Sequence, residues 1–467
     1  MKKIQNNNYL QCISPIDGSI YVERELMSMR DLEQSVELSR VAQKQWQEVS
    51  ISERAEICEK AVMYFESKQD QISEEISWQM GRPIAFSGGE VKGLAQRARH
   101  MIGIAEQSLA DLVPTPEDGF KRFIRREPLG IVFTIAPWNY PLLTAVNSIV
   151  PALMAGNSVL LKPSAQTPLC GEAFVKAFQV AGLPDNVLQC LFLSHETTEK
   201  LVSSRDIDFV CFTGSVAAGR QIEVAAAGTF TGLGLELGGK DPAYVRADAN
   251  FDYSVTELVD GAFFNSGQSC CGIERIYVHD SLYNQFVEAY IEKVNTLILS
   301  NPIDPSTTLG PVVKTSAADW VRQQIKGAVT QGAKPCVDTT KFHHAAEGTP
   351  YIAPEVLIDV DHSMSVMTEE SFGPVVGIMS VGNDEQAIHL MNDSDLGLTA
   401  SLWTQDQSAG EHLGNRLQTG TVFMNRCDYL DPALTWTGVK NTGRGATLSE
   451  LGYQQLTQPK SFHLKNV

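Results

Sequence analysis

The chain has 467 residues, more than one hydrophobic core usually serves, so at least two domains are expected. Hydrophobic residues make up 43% and charged residues 20%, the balance of a globular protein, and a formal net charge of −18 argues against a nucleic-acid or anionic membrane surface. Nine cysteines without paired spacing read as free thiols in a reducing compartment, and none stands beside a histidine at zinc spacing, so no metal is expected.

The first residues, "MKKIQNNNYLQCISPIDGS", hold two lysines but no apolar run suited to a secretory leader. No uninterrupted apolar stretch approaches the roughly 20 residues of a membrane span, and a cytoplasmic protein is expected. Residues 30–80 read as helices: Leu32, Val36, Leu38, Ala42 and Trp46 recur near helical spacing until Gly81-Arg82-Pro83 stops the pattern. A further helix is expected over roughly 88–110. From residue 130 the grammar changes. Short apolar strands at 130–137, 158–163, 186–193, 207–214 and 233–238 alternate with helices, which means parallel βαβ units and a doubly wound sheet, the usual frame for a nucleotide. A second α/β run follows, with a helix in "YSVTELVDGAFF", a strand in "RIYVH" and a helix in "YNQFVEAYIEKVNTLI". The tail, "QQLTQPKSFHLKNV", alternates like an edge strand.

The carboxyl ends of the strands carry the candidate chemistry, since doubly wound sheets place ligands there. The first strand delivers "APWNYP", in which Asn139 aims an amide N–H at an oxyanion or holds a turn. The second ends in "LKPSAQTP", where the Lys162 ammonium suits a ribose hydroxyl or a phosphate; a solvated lysine is the plainer reading. The fourth gives "FTGSVAAGR", with Gly214, Ser215 and Gly219 at a strand-to-helix turn that lets backbone approach a pyrophosphate. The fifth gives "LELGGK". Glu236 lies there in an apolar run that should raise its pKa, as a general base working near neutrality needs, unless it only bonds a backbone. In "FFNSGQSCC", Gly267 and Gln268 set a sharp turn before two adjacent thiols, which are a nucleophile and its neighbour or two small core residues. "EESFGP" offers Glu370 to ribose hydroxyls and Phe372 to a flat ring, or is a plain loop.

Taken together, "PWNYP", "LKPS", "FTGS", "ELGGK", "FFNSGQSCC" and "EESFGP", in this order, resemble the motifs of the aldehyde dehydrogenase superfamily. The likeness covers nearly the whole chain, with "NDSDLGLTA", "GTVFMN" and "TGVKNTGRG" similar to the later landmarks. The resemblance implies that Cys270 attacks an aldehyde carbonyl, that Asn139 and the Cys270 N–H hold the oxyanion, that hydride passes to NAD or NADP, and that Glu236 activates the water that hydrolyses the thioester. It places Trp138, Lys162, Ser164, Ala165, Gly214, Ser215, Gly219, Leu237, Glu370 and Phe372 along the cofactor. It places Leu143, Asn147, Ser269, Cys271 and Arg426 along the substrate.

It also implies a doubly wound nucleotide-binding domain from 1–105 and 128–237 and a second α/β catalytic domain from 238–440. A small β extension from a hairpin near 106–127 and from 441–467 would build a homodimer or homotetramer. Two departures from the pattern matter. Many NAD-using relatives carry a glutamate where Ala165 stands, so no carboxylate repels a 2′-phosphate and the cofactor leans to NADP. The segment "FLSHETTEK" lacks the glycine-rich turn of many relatives. Asn147 stands where some relatives carry a tryptophan and others an arginine, which argues against a quaternary-amine cage and a dicarboxylic-semialdehyde clamp. Arg426 would attract an acidic substrate or pair with Asp428. A coenzyme A-acylating relative is the near alternative, and Glu236 speaks against it. A non-catalytic protein that kept the fold and a cofactor-free cysteine hydrolase are the others.

Overall fold

The computed structural model describes residues 8–466, so the two N-terminal lysines lie outside the described residues. A hairpin of β1 (Tyr9–Ile13) and β2 (Ile20–Glu25) comes first. Four helices follow: α1 (Met29–Trp46), α2 (Ile51–Ser67), α3 (Gln69–Met80) and α4 (Ile84–Ser108). Ser28 caps α1 by accepting the Asp31 N–H, and Ser50 and Glu53 cap α2 reciprocally. Gly81 ends α3 at φ 86°, and a Cβ there would sit 2.9 Å from the Pro311 carbonyl oxygen, so only glycine fits.

After β3 (Phe120–Pro128) the strands and helices alternate: β4 (Ile131–Ile135), α5 (Pro141–Met154), β5 (Ser158–Lys162), α6 (Pro168–Ala181), β6 (Leu188–Cys190), α7 (His195–Ser203), β7 (Phe209–Thr213), α8 (Val216–Ala226) and β8 (Gly232–Glu236). Every residue of β4 and β5 is buried, because helices cover both faces.

The second run holds β9 (Asp241–Val245), α9 (Phe251–Phe263), β10 (Ile273–His279), α10 (Tyr283–Val294), α11 (Thr315–Thr330), β11 (Lys334–Pro335), β12 (Glu355–Ile358), α12 (Ser365–Thr368) and β13 (Val375–Val381). It continues through α13 (Asp384–Asn392), β14 (Leu396–Gly397), β15 (Thr399–Trp403), α14 (Gln407–Gly414) and β16 (Thr421–Met424). The chain closes with β17 (Val439–Lys440), β18 (Gly443–Arg444), α15 (Ser449–Gln455) and β19 (Thr457–Lys465).

Two sheets dominate. One has the order β18-β8-β7-β4-β5-β6, parallel except for β18 at the edge. Its strand order reverses at β4, which puts the first strand in the middle and a crevice at the carboxyl ends. The other has the order β11-β12-β13-β10-β9-β15-β16, parallel except for β11. The expected mixed α/β fold with a doubly wound parallel sheet is present. The tail forms a strand as expected, and β19 pairs antiparallel with β3 through nine residue pairs. In the region expected to be a hairpin, Leu112 and Ile124 exchange backbone hydrogen bonds in both directions. β9 was missed in the sequence because it follows β8 after only four residues, too short a gap to read as a new element.

Candidate active site

The turn after α9 is built on three consecutive left-handed residues, Asn265 (φ 52°), Ser266 (φ 57°) and Gly267 (φ 71°). A Cβ on Gly267 would lie 2.3 Å from the Gly373 carbonyl oxygen, so the close approach requires glycine. Gln268 locks the turn: its Nε2 donates to the Asn265 carbonyl at 3.1 Å, and its Oε1 accepts the Val313 N–H at 2.7 Å. The next residues, Ser269, Cys270 and Cys271, then line a cavity of about 300 Å³ shared with Glu236, Leu143 and Asn147. The structure therefore brings both cysteines, Glu236 and the predicted pocket residues of α5 into one place.

The two thiols differ. Cys271 is buried, and its sulfur donates to Asp428 Oδ1 at 3.1 Å. Its hydrogen bond with Cys270, its burial and the Asp428 charge all hold this thiol well above the usual range. Cys270 is half-buried, and its backbone N–H has no acceptor among the described residues.

Asn139 reaches this turn from the end of β4. Its Nδ2 donates to the Gln268 carbonyl at 3.2 Å, which uses one amide hydrogen and leaves the other. Asn139 is itself held by residues that sequence reasoning missed. Arg82 donates to the Asn139 carbonyl and, at 3.1 Å, to Asn265 Oδ1, while pairing with Glu90 at 2.6 Å. Glu90 in turn accepts the Leu142 and Leu143 N–H groups at the start of α5, each at 3.0 Å. Both members of this ion pair are buried, so one charge network fixes the loop after β4 against the cysteine turn. The only sequence signal was an arginine between a helix-ending glycine and a proline.

Glu236 ends β8. Burial raises its pKa above the ordinary carboxylate value, and hydrogen bonds from Thr447 (2.6 Å) and Thr213 (3.1 Å) pull it back. The group is thus poised to take a proton nearer neutrality than an exposed glutamate.

The predicted cofactor residues gather at the other strand ends. Lys162 ends β5, is 8% exposed, and has no ion-pair partner among the described residues. Burial lowers its pKa. Ser164 accepts the Gln166 N–H, and Ala165 is exposed. Ser215 caps α8 by accepting the Ala218 N–H, and the Gly214 N–H donates to the Glu236 carbonyl. Gly219 lets α8 approach Leu237, whose Cδ2 would lie 2.5 Å from a Cβ. Across the crevice, Glu370 accepts the Gly239 N–H at 3.1 Å. Its carboxyl is pushed up to about 8 by burial and the Glu274 charge. Phe372 meets Trp138 edge-on at 5.6 Å. Glu274 holds this loop by accepting the Ser371 and Phe372 N–H groups, and is itself paired with Lys240 in the interior. A buried unpaired ammonium, a half-buried carboxyl and a helix N-terminus suit the phosphates and ribose of a dinucleotide.

Arg426 does not line the cavity; its guanidinium lies 3.4 Å above the Tyr429 ring. The expected Arg426–Asp428 pair does not form, because Asp428 turns inward to Cys271 and to Ser269 Oγ, 2.6 Å away. A different arginine, Arg97 on α4, lines the cavity beside Asn147.

Residues 2–462 match the family model described as "Aldehyde dehydrogenase family". The chain is 32% identical to an aldehyde dehydrogenase of Paenarthrobacter nicotinovorans, over 96% of this chain and 98% of that one. It superimposes on an NADP-dependent glyceraldehyde-3-phosphate dehydrogenase from Bacillus halodurans C-125 complexed with NADP, at TM-score 0.92 and 30% identity, covering 99% of this chain and 97% of that one. A betaine aldehyde dehydrogenase from Staphylococcus aureus in complex with NAD+ gives TM-score 0.92 and 27% identity, covering 99% and 92%. The chain belongs to the aldehyde dehydrogenase family and is an NAD(P)-dependent oxidoreductase that acts on aldehydes.

Proposed function

We propose that this enzyme oxidises its aldehyde to the free carboxylic acid, with Cys270 as nucleophile, Asn139 as oxyanion donor and Glu236 as general base. The observation that carries this reading is one cavity lined by both Cys270 and Glu236, with Asn139 bonded to the carbonyl two residues before the cysteine. The Cys270 thiol gives its proton through Glu236 to solvent, and the sulfur then attacks the carbonyl carbon. The free Asn139 N–H and the unbonded Cys270 N–H then donate hydrogen bonds to the developing negative oxygen. A nicotinamide bound in the crevice would supply the hydride acceptor, and the cysteine adduct that gives up hydride would be a thioester on Cys270. Glu236 takes a proton from water, the water oxygen attacks the thioester carbon, the carbon–sulfur bond breaks and the acid leaves. Lys162, Ser164, Ser215, Glu370 and Phe372 are the residues that hold the dinucleotide.

The exposed Ala165 and the uncompensated Lys162 support acceptance of NADP, which we take as the favoured form. The free thiols support a cytoplasmic location, and among the described residues no helix is long and apolar enough to cross a membrane. The largely exposed β19, laid on β3, supports segments 106–127 and 441–467 as the contact surface of a homodimer or homotetramer. The remaining chain is read as a nucleotide-binding domain from 1–105 and 128–237 and a catalytic domain from 238–440.

The deciding assay is oxidation of an aldehyde panel with each dinucleotide, with and without coenzyme A. The expected product is the acid in both cases. An acyl-coenzyme A product would replace the hydrolytic reading with the acylating one. Sedimentation of the full chain as a monomer would overturn the oligomer.

A further inference from the structure

The cavity contains one cation that no carboxylate contacts among the described residues; Glu90 and Glu236 act on it only through space. Arg97 is 9% exposed and lines the cavity from α4. Its Nη1 donates to the Leu143 carbonyl at 2.6 Å and reaches Asn147 Oδ1 at 3.4 Å. Its Nε and Nη2 have no acceptor among the described residues, and it joins no ion pair there. Burial lowers its pKa, as for a desolvated cation without a partner.

The neighbouring carboxylates are already committed. Glu90 serves Arg82 and the first N–H groups of α5, Asp428 serves Ser269 and Cys271, and Glu236 serves Thr213 and Thr447. Asp260, also in the lining, is pushed up to about 6 by partial burial and by the Asp428 and Glu257 charges, and it makes no ion pair among the described residues. Asn147 supplies an independent second observation. It is 2% exposed, lines the same cavity, and its Nδ2 is a buried donor with no partner. Buried donors without acceptors are rare in folded proteins, and the Asn147 amide beside the unbonded Arg97 nitrogens on one cavity wall calls for a ligand acceptor. The local packing is built for this meeting: Gly93, one turn before Arg97, has no Cβ, and one placed there would lie 2.2 Å from Leu143 Cδ2. That lets α5 press against α4 and brings Asn147 under the guanidinium.

We infer that Arg97 and Asn147 form a carboxylate-binding subsite, so that the substrate is an aldehyde carrying a carboxylate on a short chain. A planar guanidinium edge matches two carboxylate oxygens, and the Asn147 amide adds a third donor. The inference rests on the proposed function and specifies its substrate class. The arginine absent at position 147 is supplied in space by the adjacent helix.

The test uses the full-length enzyme with ω-oxo carboxylates of three to about six carbons, their methyl esters, and unsubstituted aldehydes of equal length. The carboxylates should exceed their esters in kcat/KM by about 100-fold, chiefly through KM, the scale set by a desolvated charge pair. Arg97→Met should reduce the carboxylate-to-ester ratio by about the same factor, and Arg97→Lys should restore part of it. Should Arg97→Met not fold, competitive inhibition of the unaltered enzyme by short carboxylates but not by their amides gives the same reading. Equal turnover of carboxylates and esters overturns the subsite and leaves the dehydrogenase reading standing. No turnover of any aldehyde with either dinucleotide overturns both.

Discussion

The Asp428 carboxylate accepts a hydrogen bond from the Cys271 thiol at 3.1 Å, and this contact separates two cysteines that are adjacent in sequence. A thiol facing a buried carboxylate does not ionise, because the resulting thiolate would repel it. Cys270→Ala should therefore lower aldehyde oxidation by about four orders of magnitude or more, while the protein still binds dinucleotide by fluorescence titration. Cys271→Ala should keep its rate within about tenfold, since only packing changes. Comparable losses in both variants would contradict the assignment.

Glu236 gives a pH dependence whose sign follows from its surroundings. The base works only when ionised, and burial raises its pKa, so turnover falls as pH drops through that raised value. Thr447 donates to the ionised form, so Thr447→Val should raise the pKa further and move the acidic limb of the kcat profile to higher pH. Glu236→Gln should release a burst of reduced cofactor and then stall at the acyl-enzyme. Rapid-mixing absorbance measures the burst, and steady turnover without a stall would remove Glu236 from the reaction.

The Arg82–Glu90 pair is a structural prediction with a catalytic consequence. Both side chains are buried, and Glu90→Ala leaves a guanidinium without its partner, at a cost of about 3–5 kcal/mol. Chemical denaturation should show this loss. Because Arg82 also holds the Asn139 carbonyl, the folded fraction should turn over about 100-fold more slowly, the scale of a slightly misplaced catalytic group. An unchanged rate per folded molecule would show that the network supports the fold alone.

The proposed preference for NADP is tested at one exposed position, Ala165. Ala165→Glu places a carboxylate beside the strand end that carries Lys162, and should lower kcat/KM for NADP by about 100-fold while sparing NAD. Lys162→Met should weaken both dinucleotides, NADP more. Initial rates across a range of each cofactor decide this, and an equal response of NAD and NADP to Ala165→Glu would overturn the assignment of that position.

Much of the frame was legible in the chain itself. Fully apolar strands, the glycine and proline stops of α3 and α6, and motif residues at strand ends are local signals, and each reports a backbone event within a few positions. Local signals thus placed Cys270, Glu236, Asn139 and Lys162 at the carboxyl ends of elements, where a doubly wound sheet opens its crevice. What they could not give was partnership. Arg97 meets Asn147 across 50 residues, Cys271 meets Asp428 across 157, and Arg82 meets Asn265 across 183. Arg426, read from its neighbourhood in sequence as a substrate contact or a partner of Asp428, instead stacks on Tyr429. Charge pairing in an interior is decided by which helices pack together, and no periodicity or motif in one segment encodes the side chain opposite. The sequence alone therefore determined the architecture and the class of chemistry, and the tertiary packing alone decided which thiol is quiet and which cation waits in the cavity.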